Sequence, residues 1–147
     1  MEVKDMIKPA VVVSESDTFE TALKAMTTQH TNTLLVVDED GKLSGEVTVV
    51  DLLDAIVPNT LDGNQVMEHF ADDKAFASSV DIVRNIPVSE FMTADYSALE
   101  STDNMMTIIA TAITHQRARI PVVNKDQRPV GIISRQGLKA VLAKYMK

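Results

Sequence analysis

The sequence predicts an α+β fold, a tandem repeat of two β-α-β-β-α units packed sheet to sheet with pseudo-twofold symmetry. Two observations carry this. The first is an internal repeat. Val3-Lys4-Asp5-Met6-Ile7 opens a segment that runs through Leu34-Leu35-Val36-Val37 to Gly45-Glu46-Val47-Thr48, and Val88-Ser89-Glu90-Phe91-Met92 opens another that runs through Ile120-Pro121-Val122-Val123 to Gly131-Ile132-Ile133-Ser134. The offset is 85 residues between Val3 and Val88 and 86 between Gly45 and Gly131, so the copies differ by one inserted residue. Such a repeat constrains architecture before any local signal does. The second observation is that each copy alternates short β-branched runs with helical periodicity. One copy is too small to bury both faces of a three-stranded sheet, so the two are expected to share a core.

In the first copy, taken as residues 1–57, Ala10-Val11-Val12-Val13 is a β-branched run punctuated by Ser14 to Asp17. Asp17 with Glu20 three residues later has the form of a capping box. Phe19, Ala22, Leu23 and Met26 then follow at helical spacing, with an expected end near Gln29-His30. Leu34 to Val37, the turn Asp38-Glu39-Asp40-Gly41 and Leu43 to Val47 form a hairpin. Thr48 caps a short helix that runs through Ile56.

Residues 58–87 are too long for a plain connector. Gln65 to Phe70 and Phe76 to Val83 have helical character, with Val66, Phe70, Phe76, Val80 and Val83 as candidate buried positions. The second copy, residues 88–147, repeats the element order. Met106, Ile109 and Ile113 lie on its first helix, Ile120 to Val123 and Val130 to Ile133 are strands, and Ser134 caps the last helix. Pro121 lacks an amide donor and is expected at a strand start or on an edge.

Composition excludes several functions. Hydrophobic residues make up 45% of the 147, enough for a core, and the net charge of −7 opposes any broad nucleic-acid or anionic-membrane surface. There is no cysteine, hence no disulfide framework or thiolate site. No His-x-x-x-His spacing or Gly-rich phosphate loop is present, and His30, His69 and His115 are far apart in sequence. No catalytic and no metal site is therefore expected. Met1-Glu2-Val3-Lys4-Asp5 lacks the layout of a signal peptide, and no apolar run approaches the roughly 20 residues of a membrane helix, so a soluble, cytoplasmic protein is expected.

A hydrophobic-Gly-hydrophobic-hydrophobic-Thr/Ser motif, complete in Val130-Gly131-Ile132-Ile133-Ser134 and kept in part as Ser44-Gly45-Glu46-Val47-Thr48, and a Val-x-x-hydrophobic-Met opening, complete in Val88-Ser89-Glu90-Phe91-Met92 and ending in Ile7 in the first copy, resemble the cystathionine-β-synthase (CBS) domain pair, or Bateman module. The resemblance spans nearly everything except the inter-repeat segment. It implies a regulatory, non-catalytic role, with adenine-containing nucleotides bound in clefts between the repeats and dimerisation into a flat disc. It also implies that the ribose is held by a Thr/Ser-x-x-Asp signature, which the first copy has as Thr48-Val49-Val50-Asp51. A carboxylate can accept hydrogen bonds from both ribose hydroxyls. The same pattern at a helix start is also nearly a capping box, in which Asp51 reaches back only to the Thr48 amide.

The second copy reads Ser134-Arg135-Gln136-Gly137, so its carboxylate is replaced by glycine. The approach to the next strand shows the opposite asymmetry, His115-Gln116-Arg117-Ala118-Arg119 in copy two against His30-Thr31-Asn32-Thr33 in copy one. By resemblance, Arg119, with Arg117 and His115 beside it, contacts the phosphate of a nucleotide whose ribose sits on Thr48 and Asp51. Guanidinium suits phosphate oxygens, although the same arginines also fit as solvated charges flanking a strand. The adenine slot is expected at Ile7, Pro9, Val11 and Val12, which fit equally as core.

The function expected is a module sensing an adenine nucleotide (AMP, ATP or another adenosyl compound), with no cofactor required, acting as a homodimer on an unidentified regulated protein. The alternative is a structural dimerisation module with degenerate ligand sites.

Overall fold

The structure is a computed structural model; it describes residues 3–57, 64, 73–94, 96–115 and 119–146. The chain divides into two compact units. One comprises Val11–Val36 and Ser44–Ala94, the other Met1–Ala10, Val37–Leu43 and Asp95–Lys147. The first unit carries strands β2 (Val12–Ser14), β3 (Thr33–Val37) up to Val36 and β4 (Leu43–Thr48) from Ser44 on, in the order β2-β3-β4, and helices α1 (Phe19–Gln29), α2 (Val49–Ile56) and α3 (Asp73–Val83). The second carries β1 (Ile7–Lys8), β5 (Leu99–Glu100), β6 (Ile120–Val123) and β7 (Pro129–Ile133) in the order β1-β7-β6-β5, with α4 (Met105–His115) and α5 (Arg135–Tyr145). The repeated β-α-β-β-α order is thus present in both copies.

Helix α1 starts one residue later than expected. Thr18, in extended backbone, is its N-cap and accepts from the Thr21 amide at 3.2 Å. Asp17 instead accepts from the Ser14 amide at 2.8 Å and closes the turn before the helix, while Glu20 is drawn to Arg84 and Lys24 rather than back to the cap. The helix ends at His30, whose left-handed φ of 53° turns the chain so that the Thr31 amide donates to the Met26 carbonyl at 3.0 Å. Phe19, Ala22 and Met26 meet Leu34, Val36 and Val47 in the core, whereas Leu23 is exposed. Leu34, Leu35 and Val36 are all buried, so neither face of β3 meets solvent there.

Each unit borrows the opening segment of the other copy. Val88 is fully buried among the first unit's core side chains, and its amide donates to the Asp17 carbonyl at 2.7 Å. Phe91 meets Phe19 edge to face at 5.6 Å, a geometry that contributes about 1 kcal/mol beyond burial. In the second unit Met6 joins Leu99, Ile108, Ile120 and Val122, and β1 pairs antiparallel with β7, Ile7 opposite Ile133 and Lys8 opposite Ile132.

This exchange explains the glycine in each hairpin motif. A Cβ on Gly45 would lie 2.9 Å from the Thr93 carbonyl oxygen, and one on Gly131 would collide with the Lys8 carbonyl. Both glycines make room for an incoming backbone.

Pro121 is the second residue of β6, opposite Ile132 and ahead of the β5 pairing that begins at Val122, so its missing donor leaves no ladder position empty on that side. On α4 the core contact is Ile108; Ile109 is half-buried, and Met106 and Ile113 are exposed. In the inter-repeat segment α3 extends the expected helix back to Asp73, with Val83 buried and Phe76 and Val80 half-buried. Gln65 to Phe70, with Val66 and Phe70, lie outside the described residues.

Candidate functional site

Strand β4 ends at Thr48, which keeps extended backbone (φ −111°, ψ 169°) while its carbonyl side begins α2. The Thr48 hydroxyl accepts from the Asp51 amide at 3.3 Å. In return the Asp51 Oδ2 accepts from the Thr48 amide at 2.8 Å and from the Thr48 hydroxyl at 3.2 Å. The reciprocal capping box is therefore complete, and it fixes the carboxylate at the positive end of the helix dipole. The carboxylate's other oxygen, Oδ1, accepts from the Thr93 hydroxyl at 3.0 Å. Thr93 is held against β4 by two backbone bonds, its amide to the Glu46 carbonyl at 2.8 Å and the Glu46 amide to its own carbonyl at 3.0 Å. Three of the roughly four acceptor positions of the carboxylate are thus occupied.

Thr93 was not singled out from the sequence. Its signal is its place one residue after the Val-x-x-hydrophobic-Met motif of copy two, and the same place in copy one is Lys8.

The corresponding turn in the second unit is built from different residues. Ser134 caps α5 and accepts from the Gly137 amide at 3.3 Å, but no carboxylate returns the bond. Lys8, facing Ile132 across the strands as Thr93 faces Glu46, extends its ammonium to the Gln136 side-chain oxygen at 3.2 Å. Arg119 is half-buried immediately before β6, in the second unit. Arg117 lies outside the described residues, and His115 is the last residue of α4. Among the adenine candidates, Ile7 in β1 is half-buried and Pro9 is exposed in the second unit, while Val11 is half-buried and Val12 exposed in the first.

A groove of about 510 Å³ runs between α1 and α3, lined by Phe19, Leu23, Val80 and Arg84 among others, and does not include Asp51. Its charges satisfy one another. Arg84 donates to Glu20 and to Asp81, both at 2.9 Å, and Lys24 adds a contact to Glu20 at 3.2 Å. The Glu20 carboxyl is held below its ordinary range by the hydrogen bond from Arg84 and then by Lys24, and Arg84 is held above its own by the bond to Glu20. Among the described residues no three His, Cys, Asp or Glu side chains are placed to hold a metal ion, and no helix is long and apolar enough to cross a membrane.

The family model described as "CBS domain" matches residues 2–58 and 88–144. A curated relative, the magnesium and cobalt efflux protein CorC of Vibrio cholerae, is 30% identical over 125 residues, which is 83% of this chain and 43% of the relative. The chain therefore spans less than half the length of that relative. Solved structures of the same fold include CBSX2 in complex with AMP, with a TM-score of 0.69 at 21% identity covering 99% of this chain and 98% of that one. They also include the CBS domain pair of protein MJ0100 in complex with 5′-methylthioadenosine and S-adenosyl-L-methionine, with a TM-score of 0.68 at 20% identity covering 97% and 99%.

Proposed function

The chain belongs to the CBS-domain family as a tandem pair, a family of non-catalytic regulatory modules, and we propose that it binds one adenine nucleotide per chain and signals its occupancy to a partner protein. The ribose end is assigned to Thr48 and Asp51. The observation that carries the reading is the Asp51 carboxylate, locked in one orientation at the head of α2 with an acceptor position left over. Its counterpart in the other copy is Gly137, which has no side-chain acceptor. The phosphate end is assigned to Arg119, with Arg117 and His115 as its neighbours in sequence, and the adenine to Ile7, Pro9, Val11 and Val12, as the family resemblance implies.

An adenosyl compound is the ligand class because AMP-bound and S-adenosylmethionine-bound relatives share the fold. Calorimetric titration with AMP, ATP and S-adenosylmethionine tests the reading. One site per chain for at least one of them is expected, and two equivalent sites, or none for any of the three, contradict it. At a hundred times its dissociation constant the bound ligand stabilises the chain by about 2.7 kcal/mol, which a melting experiment resolves easily.

A second reading, a dimerisation module without ligand, is favoured by one specific observation. The capping box alone accounts for the Thr48-x-x-Asp51 pattern, while Val49, Val50 and Leu53 on α2 and Leu142 and Tyr145 on α5 are exposed apolar side chains available to a second copy. Both readings include a homodimer, and a concentration-independent monomer mass by light scattering contradicts that part of each.

A further inference from the structure

We infer that Thr93 sets how strongly the Asp51 site discriminates between ligands carrying a vicinal diol and ligands carrying a single hydroxyl. This inference rests on the ribose reading of Asp51. A diol places two hydroxyl donors on a carboxylate, and the two free positions it needs are not both available. Oδ2 is taken twice by Thr48, and the Thr93 hydroxyl sits on Oδ1 at 3.0 Å. With about four acceptor positions in all, one remains. A 2′-deoxy ligand fills that position without disturbing anything, whereas a full ribose must displace the Thr93 hydroxyl to seat its second donor.

Thr93 does not orient Asp51. The capping box does so through Oδ2, and it is complete without Thr93. Nor does displacing the hydroxyl unmake the backbone, because Thr93 is pinned to Glu46 by its own amide and carbonyl. The Thr93 side chain therefore competes with the ligand at an oxygen whose direction is already fixed. The molecule contains its own comparison. In the second unit the carboxylate position is Gly137, and the position of Thr93 holds Lys8, whose ammonium turns to Gln136. The hydroxyl stands where there is a carboxylate to modulate and is absent where there is none.

The test titrates AMP and 2′-deoxy-AMP into the full chain and into Thr93→Ala, Thr93→Ser and Asp51→Asn, each first shown to melt cooperatively. Thr93→Val replaces Thr93→Ala if the latter does not fold. Loss of the competing hydroxyl should tighten AMP by roughly five-fold and 2′-deoxy-AMP by less than about two-fold, so that the preference for ribose widens, while Thr93→Ser keeps the ratio of the parent. An unchanged ratio in Thr93→Ala overturns the inference, and so does an equal weakening of both ligands, which is what a purely structural role gives. Asp51→Asn separates the two levels. If it binds AMP as the parent does, the ribose reading falls and the inference with it. If it loses AMP while the Thr93→Ala ratio is unchanged, only the inference falls. Failure of the parent to bind either probe at millimolar concentration overturns both.

Discussion

Gly137→Asp is a substitution whose effect on stability can be worked from the geometry. Gly137 is the third residue after the N-cap Ser134, and its backbone needs no special conformation. A Cβ added there meets the Ile133 methyl and the Met6 carbonyl at 3.7 Å and the Met6 methyl at 3.8 Å, all ordinary contacts. Helix propensity contributes about 0.3 kcal/mol, since glycine costs about 1 and aspartate about 0.7 relative to alanine. Completing the reciprocal cap with Ser134 adds about 0.5–1 kcal/mol, and the negative charge in the first turn adds about 0.3 more.

The Met6 carbonyl and the partial burial of the new carboxylate offset some of this. Lys8, already bonded to the adjacent Gln136, supplies a compensating charge. The net gain expected is about 1 kcal/mol, or about 2–4 °C in melting temperature for a chain of this size. Thermal unfolding followed by circular dichroism, with Gly137→Asn as the uncharged comparator, checks it. The aspartate should exceed the asparagine, and the gap should narrow in high salt. A melting temperature at or below that of the parent would refute the reasoning, because it would mean that the turn of the second copy rejects the carboxylate on which the first copy is built.

Arg119→Ala should weaken AMP by about ten-fold or more while leaving adenosine nearly unchanged, because only the phosphate loses a charge-assisted contact; equal losses in parallel titrations would assign Arg119 to folding instead. Tyr96 donates its hydroxyl to the Leu43 carbonyl at 2.8 Å, and Tyr96→Phe should cost about 1 kcal/mol in urea unfolding near neutral pH. The Tyr96 phenol is held above its ordinary range by burial and then by the charge of Asp38. A raised value means that the contribution is fully present below the unfolded pKa near 10 and is lost as pH rises through the folded one, so Tyr96→Phe should be less sensitive to alkali than the parent. Urea midpoints at pH 8 and above pH 10 that shift in parallel for the two chains would contradict this.

The repeat made most of the fold legible. The strands and helices to which periodicity gave residues fall within two or three residues of their expected places, whereas β1 (Ile7–Lys8) and β5 (Leu99–Glu100), two residues each, are too short to show a period. The residues that slipped did so for local reasons, as where Thr18 and Asp17 compete to cap α1 and the carboxylate finds the Ser14 amide first. What the repeat could not reveal is that the opening segments trade places. Val88 and Met6 read as the starts of their own copies, and only the folded chain shows each buried in the other copy's unit. Thr93 went unread for the same reason, since its partner Asp51 is 42 residues away and nothing local to either residue reports the other. Thr48 and Asp51 were legible as a pair, because a capping box and the family signature use the same residue types at the same spacing.

That coincidence defines the most direct test, which is titration of Asp51→Ala with AMP at a temperature well below its melting point. Loss of the cap should cost about 1 kcal/mol of stability whichever reading holds. In addition, AMP affinity should fall by about ten-fold or more, because the ribose loses its charged acceptor. A destabilised Asp51→Ala that still binds AMP with the affinity of the parent would show that the carboxylate caps a helix and nothing else.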